Sequence, residues 1–129
     1  MASALTIVIV EHDKERALAI VDSLRETGPH KIHVLAEDSG LSRSVAQLEP
    51  DVVLIDVANP SRDTIEQLAT ASSPLERPVA FFVDRSDAQM TKAAIEAGVS
   101  AYVVDGLQMD RIKPVMDAAI ARFQLFQRM

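Results

Sequence analysis

The chain alternates short apolar runs with segments of helical period. Leu5 to Val10, Val52 to Ile55, Val79 to Val83 and Ala101 to Val104 are predominantly apolar, and Ile32 to Ala36 is a weaker, more alternating version. Apolar residues at successive positions, rather than at every second one, imply burial on both faces and hence a parallel sheet covered by helices. Between the runs lie helical stripes. Ala17, Leu18, Ile20, Val21 and Leu24 form one, ended by Gly28-Pro29. Leu41, Val45 and Leu48 form a second, with Ser39 as the expected cap and Pro50 as the stop. A third is expected from about Asp63 to Ala71 and a fourth from about Asp87 to Ala97, closed by Gly98. The last starts near Asp110 and runs to the end, with Pro114 in its first turn, where a missing N–H costs little. Five strand-and-helix units in this length predict one doubly wound α/β domain over residues 1–129.

Composition narrows the function. Thirteen basic against nineteen acidic side chains give a net charge of −6, the wrong sign for binding a phosphate backbone by counterion release. With no Trp, one Tyr and four Phe, a stacking platform for single-stranded nucleic acid is missing too. No direct nucleic-acid contact is expected. The absence of Cys rules out a disulfide framework, and no apolar run approaches membrane-spanning length, so a cytoplasmic protein is expected.

In sheets of this kind ligands bind beyond the carboxyl ends of the strands. Glu11, His12 and Asp13 follow the first strand, Asp56 the third, Asp84 the fourth and Asp105 the fifth, an acidic edge. Asp56 stands out, because an ionised carboxylate at the mouth of a core strand must be paired, hydrogen-bonded or metal-bound. Carboxylates without a His or Cys cluster suit a hard cation such as Mg²⁺ held through oxygen, and a carboxylate beside such a cation can accept a phosphoryl group. On that reading Asp56 is the phosphoacceptor, and Glu11, Asp13, Asp56 and the backbone carbonyl of Ala58 hold a weakly bound Mg²⁺. The plainer alternatives are that Asp56 orders a loop and that Glu11 and Asp13 start the first helix, where acidic residues favour the dipole. His12 reads as a loop residue, and His30 and His33 lie away from this edge.

The segments Ile7-Val8-Ile9-Val10-Glu11-His12-Asp13, Asp51 to Pro60 and Ala97-Gly98-Val99-Ser100-Ala101-Tyr102-Val103-Val104 resemble the receiver domain of two-component response regulators over nearly the whole chain. The resemblance implies a flavodoxin-like sheet of strand order 2-1-3-4-5 flanked by five helices, a signalling role rather than an enzymatic one, and a histidine kinase as phosphodonor. The closer similarity is to the receivers of nitrate-assimilation antiterminators of the NasT and AmiR type, carried by Arg62-Asp63-Thr64-Ile65-Glu66-Gln67-Leu68, Arg77-Pro78-Val79 and Ser100 to Leu107. That group implies a nitrate-sensing, NasS-like partner and a following ANTAR domain, a helical RNA-binding module. The chain stops at Met129, before such a domain could fit, as a truncated or stand-alone receiver would.

Three positions depart from the family pattern. His12 stands where a second carboxylate is usual, Val83 where a Thr or Ser is usual, and Asp105 where a Lys is usual. The last is the largest electrostatically: a charge about 4 Å away is worth on the order of 4 kcal/mol at an effective dielectric near 20, and Asp in place of Lys reverses its sign. Lys14, Arg62 or Arg85 would have to supply the missing cation. Val83 also removes the hydroxyl that links the phosphoryl group to the switch aromatic, here Tyr102. Plainer readings are an ordinary Asp105-Gly106 turn and a packed strand tyrosine. An atypical receiver, controlled by a partner and by dimerisation, is expected; a conventional phosphoacceptor is the alternative. An Asp-based phosphohydrolase would want a second Asp where Ala58 stands, and a flavin carrier would want a phosphate loop where Glu11-His12-Asp13-Lys14 would repel one.

The final helix carries a seam of heptad spacing: Ile112, Met116, Ala119, Phe123 and Phe126. It is expected to form a homodimer contact, its early members also packing on the sheet.

Overall fold

A computed structural model describes residues 4–37, 39–58 and 60–128; Asn59, within one of the family-like segments, and Met129 lie outside these. Five parallel strands, β1 (Thr6–Val10), β2 (Lys31–Leu35), β3 (Val52–Val57), β4 (Val79–Val83) and β5 (Ala101–Val104), form one sheet in the order β2-β1-β3-β4-β5. Five α-helices join them: α1 (Lys14–Arg25), α2 (Leu41–Leu48), α3 (Arg62–Ser72), α4 (Ala88–Ala97) and α5 (Ile112–Gln127), the last preceded by a 3₁₀ turn at Met109–Arg111. This is the doubly wound sheet with five helices that the pattern predicted.

The continuous apolarity of the strands resolves into two cores by residue parity. Val8, Val10, Val53, Ile55, Phe81 and Val83 face α2, α3 and α4. Ile7, Ile9, Val52, Leu54, Ala80 and Phe82 face α1 and α5. Since successive side chains of a strand point to opposite faces, Glu11 and Asp56, in step with Ile9 and Leu54, are aimed at the α1 side.

Local differences have plain causes. Leu18, expected in the buried stripe of α1, is 56% exposed, and Ala17, Ile20, Val21 and Leu24 carry the contact. β2 lies at the sheet edge, so Val34 is exposed as well. Ser39 is not the cap of α2: Gly40 takes that position in a left-handed conformation with φ of 74°, without a side-chain bond to the helix. Ser61 and Asp87 do cap, accepting from the backbone N–H of Thr64 and Met90. No helix among the described residues is long and apolar enough to cross a membrane.

Candidate functional site

Asp56 ends the core part of β3 with only 6% of its surface exposed, and Glu11, just past β1, is equally buried. Two carboxyl groups this deep need a counterion, and the structure supplies one that the sequence reading did not single out. Arg16 donates from Nε to Asp56 Oδ2, and the same nitrogen lies 3.8 Å from Glu11 Oε2. Lys14, Arg62 and Arg85 do not take this role; Arg62 pairs along its own helix with Glu66 at 3.1 Å. The local fold explains the choice. Asp13 is the N-cap of α1, its Oδ1 accepting from the backbone N–H of Arg16 at 3.1 Å, so Arg16 is the third residue of the helix. Helical side chains lean toward the N-terminus, which carries this guanidinium back over the carboxyl edge of the sheet.

The loop itself is tied by Glu11, whose Oε1 accepts from the backbone N–H of Asp13 at 3.1 Å. Burial, followed by a side-chain hydrogen bond with Asp56, pushes the Glu11 carboxyl up from 4.5 to about 8, against the opposing pull of the Asp13 N–H and Arg16. At neutral pH it therefore holds its proton. Glu11 Oε2 and Asp56 Oδ1 are both buried without a hydrogen-bond partner. A proton kept on Glu11 spares the pocket a second negative charge beside the Arg16–Asp56 pair.

The expected metal set is not assembled in this arrangement. Asp13 is exposed and turned to its helix, Asp56 Oδ2 already holds a guanidinium, and Ala58 lies in an exposed bend after β3. Among the described residues no three His, Cys, Asp or Glu side chains are grouped to share a metal ion. A hydrated Mg²⁺ wants several oxygen ligands in octahedral array, and the residues as placed here do not fit one.

The other family positions sort as follows. His12 is an exposed loop residue. Val83 is fully buried at the end of β4, within the core under α2, α3 and α4. Asp105 is exposed at φ 87° and begins the turn that Gly106 completes at φ 76°, the Gly106 N–H bonding to Val83 O at 2.8 Å. A Cβ at Gly106 would lie 3.0 Å from Asp84 Oδ1 and 4.0 Å from an Arg16 terminal nitrogen, so this glycine lets Asp84 and Arg16 close over the site.

The hydroxyl missing at Val83 reappears three residues later. Ser86 Oγ lies 2.6 Å from the Tyr102 hydroxyl and 3.0 Å from Thr91 Oγ1, tying the aromatic of β5 to the loop that starts α4. Sequence reading missed Ser86 because nothing in a loop Arg-Ser-Asp announces a tertiary partner sixteen residues away.

Of the seam on α5, Ile112, Met116 and Ala119 are fully buried against the sheet and cannot serve as a dimer contact. Phe123 and Phe126 instead line an open groove of about 480 Å³ with Leu75, Ile95 and Tyr102.

No protein-family model matches the chain. It is 28% identical over 119 residues to the transcriptional regulatory protein PdtaR of Mycobacterium tuberculosis, covering 92% of this chain and 58% of that one. The transcriptional regulatory protein KdpE of the same organism is 26% identical over 118 residues, covering 92% and 52%. The fold superposes with a TM-score of 0.74 and 19% identity on the signal receiver domain of a modulated diguanylate cyclase from Desulfovibrio desulfuricans, over 96% of this chain and 99% of that one. Its fold is that of a receiver domain. The chain spans little more than half the length of the two regulators it matches. Both are named as transcriptional regulatory proteins.

Proposed function

We propose that this receiver is the signal-receiving part of a transcription antiterminator regulator, controlled by partner binding and association rather than by ordinary phosphorylation. The observation that carries this is Arg16 seated on Asp56, with Glu11 protonated beside it: the acceptor carboxylate already has its counterion. Val83 and Asp105 remove the hydroxyl and the lysine that would otherwise hold a phosphoryl group. The nitrate or nitrite assimilation role, a NasS-like sensor as partner, an ANTAR domain in a longer protein and a cytoplasmic site of action follow from the likeness of Arg62 to Leu68 and Ser100 to Leu107 to that group.

Association is proposed through the groove beside the end of α5. Leu75, Ile95 and Phe126, which line it, are each more than 60% exposed, a concentration of apolar side chains suited to a second copy of the chain.

The second reading, a Mg²⁺-dependent phosphoacceptor served by a histidine kinase, draws on one feature, the buried and unpartnered Asp56 Oδ1 at the strand mouth. Intact mass after incubation with Mg²⁺ and acetyl phosphate separates the two, with Asp56→Asn as the site control. No mass gain, under conditions that label an ordinary receiver, is expected. A near-stoichiometric, Asp56-dependent gain of one phosphoryl group would replace the first reading with the second.

A further inference from the structure

The groove beside the end of α5 is walled by contacts that fix its shape. Gln127 donates from Nε2 to Leu75 O at 3.1 Å, tying the last turn of α5 to the loop before β4. A Cβ at position 98 would lie 3.1 Å from Leu75 Cδ2, so Gly98 lets that leucine close over the end of α4. The space left, about 480 Å³, falls within the range of small-molecule sites, and Leu75, Ile95, Phe123 and Phe126 give it an apolar lining. Its polar side chains divide in two. The hydroxyls of Thr91 and Tyr102 are already bonded to Ser86. The other two are unused among the described residues: Ser100, only 8% exposed, has no hydrogen-bond partner for its hydroxyl, and Arg122, the one charged residue of the lining, has no ion-pair partner. An enclosed hydroxyl and an unpaired guanidinium beside an apolar space suit an oxygen anion carried on an apolar body.

We propose that this groove binds a small amphipathic carboxylic acid, its carboxylate held by Arg122, its apolar body by the leucine, isoleucine and phenylalanines, and a further polar contact made by Ser100. A chain of net charge −6 repels anions in general, so selection of an acid falls to Arg122. A guanidinium can meet a carboxylate bidentately, and the bond is stronger beside an apolar lining than in open water. The regulatory consequence rests on the association reading above: Leu75, Ile95 and Phe126 cannot cover a second copy and an acid at once, so an occupied groove holds the domain as a monomer.

Octanoate is the probe, followed through the fluorescence of Tyr102, the single tyrosine of a chain without tryptophan, at a protein concentration where light scattering shows the monomer. Saturable binding is expected, with octan-1-ol, the same apolar body without the charge, at least about tenfold weaker. Arg122→Gln, an exposed position, is expected to bring octanoate down to the affinity of the alcohol and to leave the alcohol unchanged. Ser100→Ala should weaken octanoate about fivefold. Arg43→Gln, the same loss of charge on the exposed side of α2, should change neither probe. A response that does not saturate, equal affinity for acid and alcohol, or an acid affinity unchanged in Arg122→Gln or in Ser100→Ala would overturn the site. Association is read separately, by light scattering at high micromolar protein, where saturating octanoate should turn dimer into monomer. A dimer that persists with octanoate bound would overturn the regulatory consequence. No octanoate binding beside an intact dimer would sink the site and leave the association reading standing, whereas octanoate binding to a chain that is monomeric throughout would do the reverse.

Discussion

The Ser86 hydroxyl lies 2.6 Å from the hydroxyl of Tyr102, and by this bond the loop after β4 holds the one tyrosine of the chain. Thr91, 3.0 Å from Ser86, extends the link to α4. Tyr102 also lines the groove beside α5, so Ser86 connects the carboxyl edge to the proposed association face. Removing the hydroxyl in Ser86→Ala should leave the fold in place, lower stability by about 1 kcal/mol and free the ring. With no tryptophan present, tyrosine fluorescence reports on Tyr102 alone. Its emission and quenching by iodide should change in Ser86→Ala and stay as in the wild type in Ser86→Thr. An unchanged signal in the alanine variant would mean that the bond does not hold the ring.

Much of this arrangement is legible in the amino-acid sequence. The runs Val52 to Ile55 and Val79 to Val83 announce buried strands because every position faces one core or the other, and Gly98 closes α4 for a local reason, its left-handed φ of 88°. Asp56 can be found because a charge inside such a run is conspicuous. Arg16 cannot: it lies forty residues from its partner, on the polar side of an amphipathic pattern where cations are ordinary. One signal is available, that a basic residue in a helix's first turn opposes the dipole. The fate of the α5 seam is ambiguous for a different reason, since spacing of three and four describes packing on a sheet as well as packing on another helix.

Glu11 makes stability depend on pH in a direction opposite to that of most paired carboxylates. Its carboxyl is held at about 8 in the fold against 4.5 as its ordinary value. Between these values the folded state keeps the proton and the unfolded state does not, so stability falls as pH rises and levels off above about 8. The slope is at most about 1.4 kcal/mol per pH unit. Denaturant melts from about pH 5 upward should show this decline, and Glu11→Gln, neutral throughout, should flatten it and exceed the wild type at the alkaline end. A wild-type profile that rises across this range would mean that Glu11 is ionised in the fold.

Asp105 and Gly106 occupy adjacent left-handed positions, at φ 87° and 76°, and should respond to substitution with opposite signs. Gly106→Ala places a Cβ where φ disfavours it and 3.0 Å from Asp84 Oδ1. Because Asp84 is exposed and can shift, backbone strain of about 1 to 2 kcal/mol is the main cost. Asp105→Gly relieves the same strain and should stabilise by up to about 1 kcal/mol, less the entropy glycine adds to the unfolded chain. Thermal melts of the two variants check this; a destabilised Asp105→Gly would show that the exposed carboxylate has a role beyond the turn.

The end of α5 separates folding from association. Met116 is 1% exposed and Phe126 is 62% exposed on the same helix. An acidic residue at position 116 would bury an unpaired charge and should prevent folding. Phe126→Asp touches no core and should leave the stability of the isolated domain within the range usual for surface changes, about 0.5 kcal/mol. If two copies meet at the groove formed by Leu75, Ile95 and Phe126, the same variant should abolish the dimer, because a carboxylate would then be desolvated in an apolar contact. Light scattering over the micromolar range is the measurement, with dimer expected for wild type and monomer for Phe126→Asp. A wild type that stays monomeric at high micromolar concentration ends the dimer reading. A Phe126→Asp variant that stays dimeric moves the interface elsewhere on the domain.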